Sequence, residues 1–192
     1  MAVGHDRYTG PTLAFEWEQQ ILIVALAGEV DLGHTDGFLQ SIIEATAACP
    51  FGVVVDLSQV SYLDSAGVHL LFLVRRELER KRVPVVAVLP HLAVVRRILS
   101  LVEVSTVVPL SDTRTEAVAR IELEKAATTA AQLQHALDSR VIIEQAKGIL
   151  AERHGVDLEE AFERMRALSR RSRRPVRAIA GDVVSGLLDI PA

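Results

Sequence analysis

The chain has 192 residues, 49% hydrophobic and 24% charged, a globular composition too apolar for disorder and long enough for one large domain or two small ones. Its net charge of −4 excludes a uniformly basic nucleic-acid binder, so any such site has to be a local patch. The single cysteine, Cys49, excludes an internal disulfide framework or a cysteine zinc cluster and fits a reducing cytosol.

Residues 1–11 carry charge and glycine but no apolar core, so no secretory leader is expected. The longest apolar run, 21–27, is far short of the ~20 residues of a membrane helix. A cytoplasmic protein without membrane contact is expected. Segments 13–17 and 21–27 read as strands of a hairpin turning at Glu18-Gln19-Gln20. Segments 53–57 and 83–89 are nearly continuous apolar runs, as in strands covered on both faces. Between them, Phe38, Ile42, Ile43 and Ala45 repeat at helical spacing after Asp36. Val68, Leu71, Phe72, Val74 and Leu78 do so after Asp64-Ser65, and Leu92, Val95 and Leu99 after Pro90. Strands alternating with helices predict an α/β layer with partly parallel pairing. The run 75–82 interleaves arginine with glutamate and reads as a solvated helix end.

From about Glu122 the β-branched runs stop, and Phe162 is the one aromatic beyond that point. Leu123, Ala126, Ala130, Leu133, Leu137 and Val141 recur at steps of three and four, a coiled-coil-like stripe on a long helix over 122–150. His154-Gly155 ends it. Asp157 with Glu160 forms a capping-box-like start for a second helix, whose stripe is Leu158, Ala161, Phe162, Met165 and Leu168. Pro175 opens a third, with Val176, Ile179, Val183 and Leu187 expected to face inward. The chain therefore divides into an α/β domain over 13–118 and an all-α three-helix domain over 122–188 with a long first helix.

Asp64-Ser65-Ala66-Gly67 lies between a strand and a helix. Serine at a helix start is ordinarily a cap. A sharper reading makes Ser65 a phosphoacceptor, with Gly67 leaving the backbone open to a partner; a phosphate adds about −1.5 to −2 charges, which beside Asp64 repels an acidic docking surface. An enzymatic reading pairs Ser65 with His69, one turn on. That arrangement lacks a Gly-x-Ser-x-Gly elbow in the sequence. The remaining histidines and Cys49 show no metal-ligand spacing, and no phosphate-cradling glycine loop is present. No enzyme, metal or cofactor is expected.

Gly28-Glu29-Val30-Asp31-Leu32, then a helix, then the run from Val54-Val55-Asp56-Leu57 through Tyr62-Leu63-Asp64-Ser65-Ala66-Gly67-Val68, closely resembles the STAS domain of bacterial anti-sigma factor antagonists. The resemblance implies that Ser65 is the regulatory serine, phosphorylated by an anti-sigma factor that is also an ATP-dependent serine kinase. It also implies that Asp31, Asp64, Ser65 and Gly67 belong to the docking surface for that partner. The antagonist is then a substrate and has no catalysis of its own.

Arg164, Arg166, Arg170, Arg171, Arg173, Arg174 and Arg177 follow one another with no acid among them. Such a run is usually a solvated face. Its density around a helix–loop–helix corner points instead to an anionic partner, and arginine favours bidentate phosphate contacts and stacking on bases. The blocks Ala136-Leu137-x-Ser139-Arg140-x-Ile142-Ile143-Glu144-Gln145-Ala146-Lys147-Gly148-Ile149-Leu150, Glu160-Ala161-Phe162-x-x-Met165-Arg166 and Pro175-Val176-x-x-Ile179-Ala180-x-x-Val183-Val184 look like the ANTAR domain. That family comprises RNA-binding transcription antiterminators that bind RNA hairpins in nascent transcripts, commonly as dimers through the long helix. Met165, Ser169 and Gly181 depart from its usual residues, and Gly181 inside a helix costs ~1 kcal/mol relative to Ala. The RNA-binding residues so implied are Arg166, Arg170, Arg171, Arg173, Arg174 and Arg177. Gly148 is expected to pack closely on the second helix near Phe162. Arg140 and Lys147 either extend the basic surface or pair with Glu144.

The combined expectation is a two-domain regulator: a phosphorylation-switched antagonist module and an antiterminator module. A coupling is also expected, in which docking or phosphorylation alters dimerisation of the long helix. The alternative is an antagonist whose helical tail serves only dimerisation or protein docking.

Overall fold

The computed structural model describes residues 10–48 and 50–191; Cys49 and His5 lie outside them. The described residues form two compact units that divide between Ala126 and Ala127.

The first unit is built on five strands in spatial order β1 (Thr12–Glu18), β2 (Ile21–Val30), β3 (Gly52–Leu63), β4 (Val85–Val88) and β5 (Leu110–Ser111). β1 and β2 form the antiparallel hairpin, with Phe15 opposite Val24. The other neighbours are parallel, Val24 beside Val55 and Val53 beside Val85. Parallel pairing requires crossovers, and these are the helices α1 (Leu32–Ala45), α2 (Ser65–Arg80) and α3 (Ala93–Leu101).

Strand periodicity decides which residues meet them. Leu22, Val24, Val53, Val55, Leu57, Val85 and Ala87 point to the face covered by α1–α3, where they join Ile42, Val68, Leu71, Val74, Val95 and Leu99. The alternate residues Ile21, Ile23, Val54, Val86 and Val88 form a second core on the opposite face.

That second face corrects the expected start of the long helix. It begins at Arg114, not near Glu122, and runs as α4 (Arg114–His154). Its first turns carry Ala117, Val118 and Ile121 onto the sheet. Thr113 accepts from Glu116 N, which satisfies one orphan N–H of the helix start, and the Glu116 carboxylate reaches back to accept from Asp112 N, before the cap. Gly52 permits the close approach, since a Cβ there would meet Ile121 Cγ2 at 2.3 Å. α1 starts at Leu32, one turn ahead of the apolar repeat that follows Asp36, with Asp31 as its N-cap.

The second unit packs the rest of α4 with α5 (Leu158–Ser172) and α6 (Val176–Val184) around Ala146, Leu150, Ala161, Met165, Ile179, Ala180, Val183 and Ile190. Gly155, at φ +63°, takes the left-handed conformation that ends α4. Asp157 accepts from Glu160 N at 2.7 Å, but the Glu160 side chain pairs forward with Arg164; the cap is therefore one-sided rather than a full box.

Two expected apolar contacts are absent. Leu187 is 82% exposed, because α6 ends before it and Gly186 turns the chain at φ +75°; Leu188 and Ile190 pack instead. Gly148 is exposed, and a Cβ there would meet nothing within 4 Å, so close packing on α5 does not explain it. Along α4, Leu123, Leu133, Leu137 and Val141 are 55–72% exposed.

Candidate functional site

In the first unit the two glycine- and aspartate-containing motifs meet at the carboxyl ends of β2 and β3. Val30 pairs with Leu63, and Asp64 N donates to Val30 O at 3.4 Å. The strand-to-helix turns that follow present Asp31 and Asp64 side by side as N-caps. Asp31 accepts from Gly33 N at 2.9 Å and binds His34 Nδ1 at 2.7 Å. Asp64 accepts from Ala66 N at 2.8 Å and Gly67 N at 2.9 Å.

The cap of α2 is thus Asp64 and not Ser65. Ser65 is the first residue inside the helix, exposed, and among the described residues its hydroxyl makes no hydrogen bond. A group attached to it sits in the helix's first turn, where free N–H groups and the dipole favour negative charge. Beside it lies a groove of about 480 Å³ lined by Tyr62, Val68, His69, Phe72, Ile98 and Val102.

Gly67 has a different role from the one expected. It is buried, and a Cβ would meet Leu63 Cδ1 at 2.4 Å and Val30 O at 3.0 Å. The missing side chain lets α2 close onto the strand ends, and the backbone there is covered. His69 is exposed one turn beyond Ser65; among the described residues no hydrogen bond joins the two or orients the imidazole. A nucleophile pair requires both.

A buried charge centre was hidden in the valine run of β3. The Asp56 carboxylate accepts from Ser58 N at 2.9 Å and from Arg114 Nη2 at 2.9 Å, and Arg114 also holds Glu16 at 2.6 Å. Burial pushes the Asp56 pKa up. The hydrogen bonds from Ser58 and the Arg114 guanidinium outweigh it, so the pKa lies below its ordinary value. Arg114 is raised in turn, chiefly by its hydrogen bond to Asp56. This pair ties the first residue of α4 to the sheet. Thr113-x-x-Glu116 was the sequence signal that could have placed that helix start.

In the second unit the arginines are not unopposed. Arg164 pairs with Glu160 at 2.9 Å, Arg166 and Arg170 with Glu163 at 2.6 and 4.0 Å, and Arg174 with Asp182 at 2.6 Å. Glu160 and Glu163 lie on α5 with their arginines, one or two turns away, whereas Asp182 lies on α6 and is reached by Arg174 from the loop between the two helices; all three acids are outside the arginine run. Arg171 and Arg173 are exposed with no ion pair among the described residues. Arg173 adopts a left-handed φ of 54° at the end of α5, and Ser169 Oγ donates to Arg174 O at 2.6 Å to fix the corner. Lys147 pairs with Glu144 at 2.9 Å. Lys147 and Arg166 both lie over the Phe162 ring, at 5.7 and 5.8 Å from its centroid. Arg177 turns to His135 of α4, with Nη1 to Nε2 at 2.7 Å. The cluster therefore spreads over several faces of the unit. Among the described residues no group of three or more His, Cys, Asp or Glu could hold a metal ion, and no helix is long and apolar enough to cross a membrane.

Comparison with known proteins agrees with both halves. The STAS domain family matches residues 13–117 and the ANTAR domain family residues 131–184. No curated protein matches the chain. Among solved structures, an anti-sigma factor antagonist from Mycobacterium paratuberculosis is 26% identical with a TM-score of 0.52, over 59% of this chain and 95% of that one. A putative anti-sigma factor antagonist from Thermotoga maritima is 18% identical with a TM-score of 0.53, over 57% and 94%. The unphosphorylated form of the anti-sigma factor antagonist SpoIIAA is 21% identical with a TM-score of 0.50, over 58% and 96%. The last two, at such identity, share the fold. The families found are regulatory binding domains rather than catalytic ones, and this chain belongs to the STAS family, with an ANTAR domain following in the same polypeptide.

Proposed function

We propose that this protein is a cytoplasmic regulator that joins an anti-sigma factor antagonist to an RNA-binding antiterminator. The first module captures an anti-sigma factor that is also a serine kinase, and phosphorylation of Ser65 releases it. The observation that carries this reading is the Ser65 hydroxyl, exposed and, among the described residues, without a hydrogen bond in the first turn of α2 beside an apolar groove. A phosphate there brings about −1.5 to −2 charges to the rim of that groove, next to the Asp64 carboxylate. Asp31, Asp64 and Ser65 form the docking rim, while Gly67 serves by letting α2 close on the strands. The test measures binding of the anti-sigma factor to Ser65→Ala and Ser65→Asp. The first is expected to bind as the unmodified protein does and the second to lose binding; equal binding refutes the switch.

The second module binds RNA hairpins in nascent transcripts through Arg166, Arg170, Arg171, Arg173, Arg174 and Arg177, as a homodimer through α4. The uncovered stripe Leu123, Leu133, Leu137 and Val141 supports the dimer. Docking or phosphorylation at the first module then acts on the second through dimerisation. Equal RNA affinity of Ser65→Asp and wild type removes that coupling.

A second reading has its own support, since Glu160, Glu163 and Asp182 neutralise much of the arginine cluster. In it the helical unit serves dimerisation or protein docking alone. Crosslinking RNA to the full chain and sequencing what is bound separates the two readings.

A further inference from the structure

We propose that the groove between α4 and α6, walled by His135, Ser139, Ile142, Arg177, Ala178 and Gly181, receives an unpaired nucleobase of the bound RNA. The proposal rests on the RNA-binding reading above and names the subsite that reads a base rather than a phosphate. The groove has a volume of about 480 Å³, within the range of small-ligand sites, and combines apolar walls with a few convergent polar groups.

Arg177 is the first reason. Its Nη1 donates to His135 Nε2 at 2.7 Å; a guanidinium has no acceptor, so this imidazole nitrogen has to be the unprotonated one. Among the described residues, Arg177 Nε is buried without a hydrogen-bond partner. Buried donors are normally satisfied; Nε has no open surface in this pose, and a rotation of the side chain toward an acceptor in the groove satisfies it. Base edges supply carbonyl and ring-nitrogen acceptors, and unstacked bases pack on guanidinium planes. Ser139 Oγ spends its proton on His135 O at 2.6 Å, which leaves its lone pairs for an exocyclic amine.

Gly181 is the second and independent reason. Glycine in the body of α6 weakens the helix, yet a Cβ there would meet nothing within 4 Å, so internal packing does not call for it. It lines the groove, and its missing side chain keeps that wall open. Charge then selects the occupant. The corner carrying the exposed Arg171 and Arg173 runs through Arg174 into the groove wall at Pro175. A strand whose base enters the groove lays its phosphates along these cations, which an apolar peptide does not use.

The test uses the full chain and two probes, a short oligoadenylate strand and a fully paired RNA duplex of equal length. Gly181→Leu fills the groove without touching a charge. It is expected to weaken oligoadenylate binding about tenfold, the scale of one lost stacking contact, while duplex affinity and the salt slopes stay as in wild type. Unchanged oligoadenylate binding, or an equal loss on both probes, overturns the proposal and leaves RNA binding standing. Wild-type protein that binds neither probe also overturns the proposal; the RNA-binding reading is judged separately, and falls if crosslinking to the full chain recovers no RNA. Thermal melting checks the fold; should Gly181→Leu not fold, Ala178→Met takes its place. That variant also fills the groove from its wall without removing a charge, and it is expected to give the same selective loss on the single strand.

Discussion

Replacing Gly67 by alanine separates two readings of the Asp64-Ser65-Ala66-Gly67 turn, because they predict opposite signs. If the glycine merely leaves backbone open to a partner, alanine gains helix propensity, at most ~1 kcal/mol, and the fold is stabilised. In the structure the new Cβ meets Leu63 Cδ1 at 2.4 Å and the backbone oxygen of Val30 at 3.0 Å. Leu63 is itself buried at 2% exposure and has little room to yield, so overpacking of about 1–3 kcal/mol is expected. Gly148→Ala supplies the control, since its Cβ meets nothing within 4 Å and the propensity gain of up to ~1 kcal/mol acts alone. The difference between the two replacements should therefore be about 1–3 kcal/mol in favour of Gly148→Ala. Urea denaturation measures it. Trp17, the single tryptophan, reports the first unit by fluorescence, and far-ultraviolet circular dichroism follows the helices. Equal stabilisation by both replacements would refute the packing argument and return Gly67 to the partner surface.

The Asp56–Arg114 pair makes the first unit acid-sensitive. The Asp56 pKa is lowered in the folded state, so the unfolded chain takes the proton first; the stabilisation is complete above the ordinary aspartate value of about 3.9 and is lost as pH falls through the lower folded value. Asp56→Asn should flatten that acid limb in a stability–pH profile, and an unchanged limb assigns it elsewhere. Met165→Ala should cost the helical unit about 2–5 kcal/mol, because Met165 is fully buried among three helices; a loss below 1 kcal/mol in thermal or urea melts contradicts that packing. For RNA binding, four phosphate contacts give a fall of log K with log salt of slope about 3 for single strands. Reversing Arg170, Arg171, Arg173 and Arg174 should abolish most of that slope in a titration, and a flat response in the wild type argues for the docking-only reading.

The apolar periodicities and the two turn motifs were enough, without coordinates, to indicate the α/β layer, the hairpin, the three-helix tail and the exposed serine. They are local signals: strand alternation, helical spacing and cap chemistry are written in neighbouring residues. What the tertiary structure decided depends on groups far apart in sequence. The start of α4 at Arg114 follows from the second face of the sheet, which Ala117, Val118 and Ile121 cover, and from a carboxylate at Asp56 that sequence alone showed only as an interruption among valines. Gly67 could be read as open until β2 and α2 were brought together, because the atoms a Cβ meets belong to Leu63 and Val30. The arginine run looked unopposed because its acids lie outside it in sequence, although helical geometry brings Glu160 and Glu163 alongside and packing brings Asp182. Charge in a run is a property of the sequence; net field at a surface is set by the fold, since a unit charge is felt over a few ångströms through space regardless of its position along the chain.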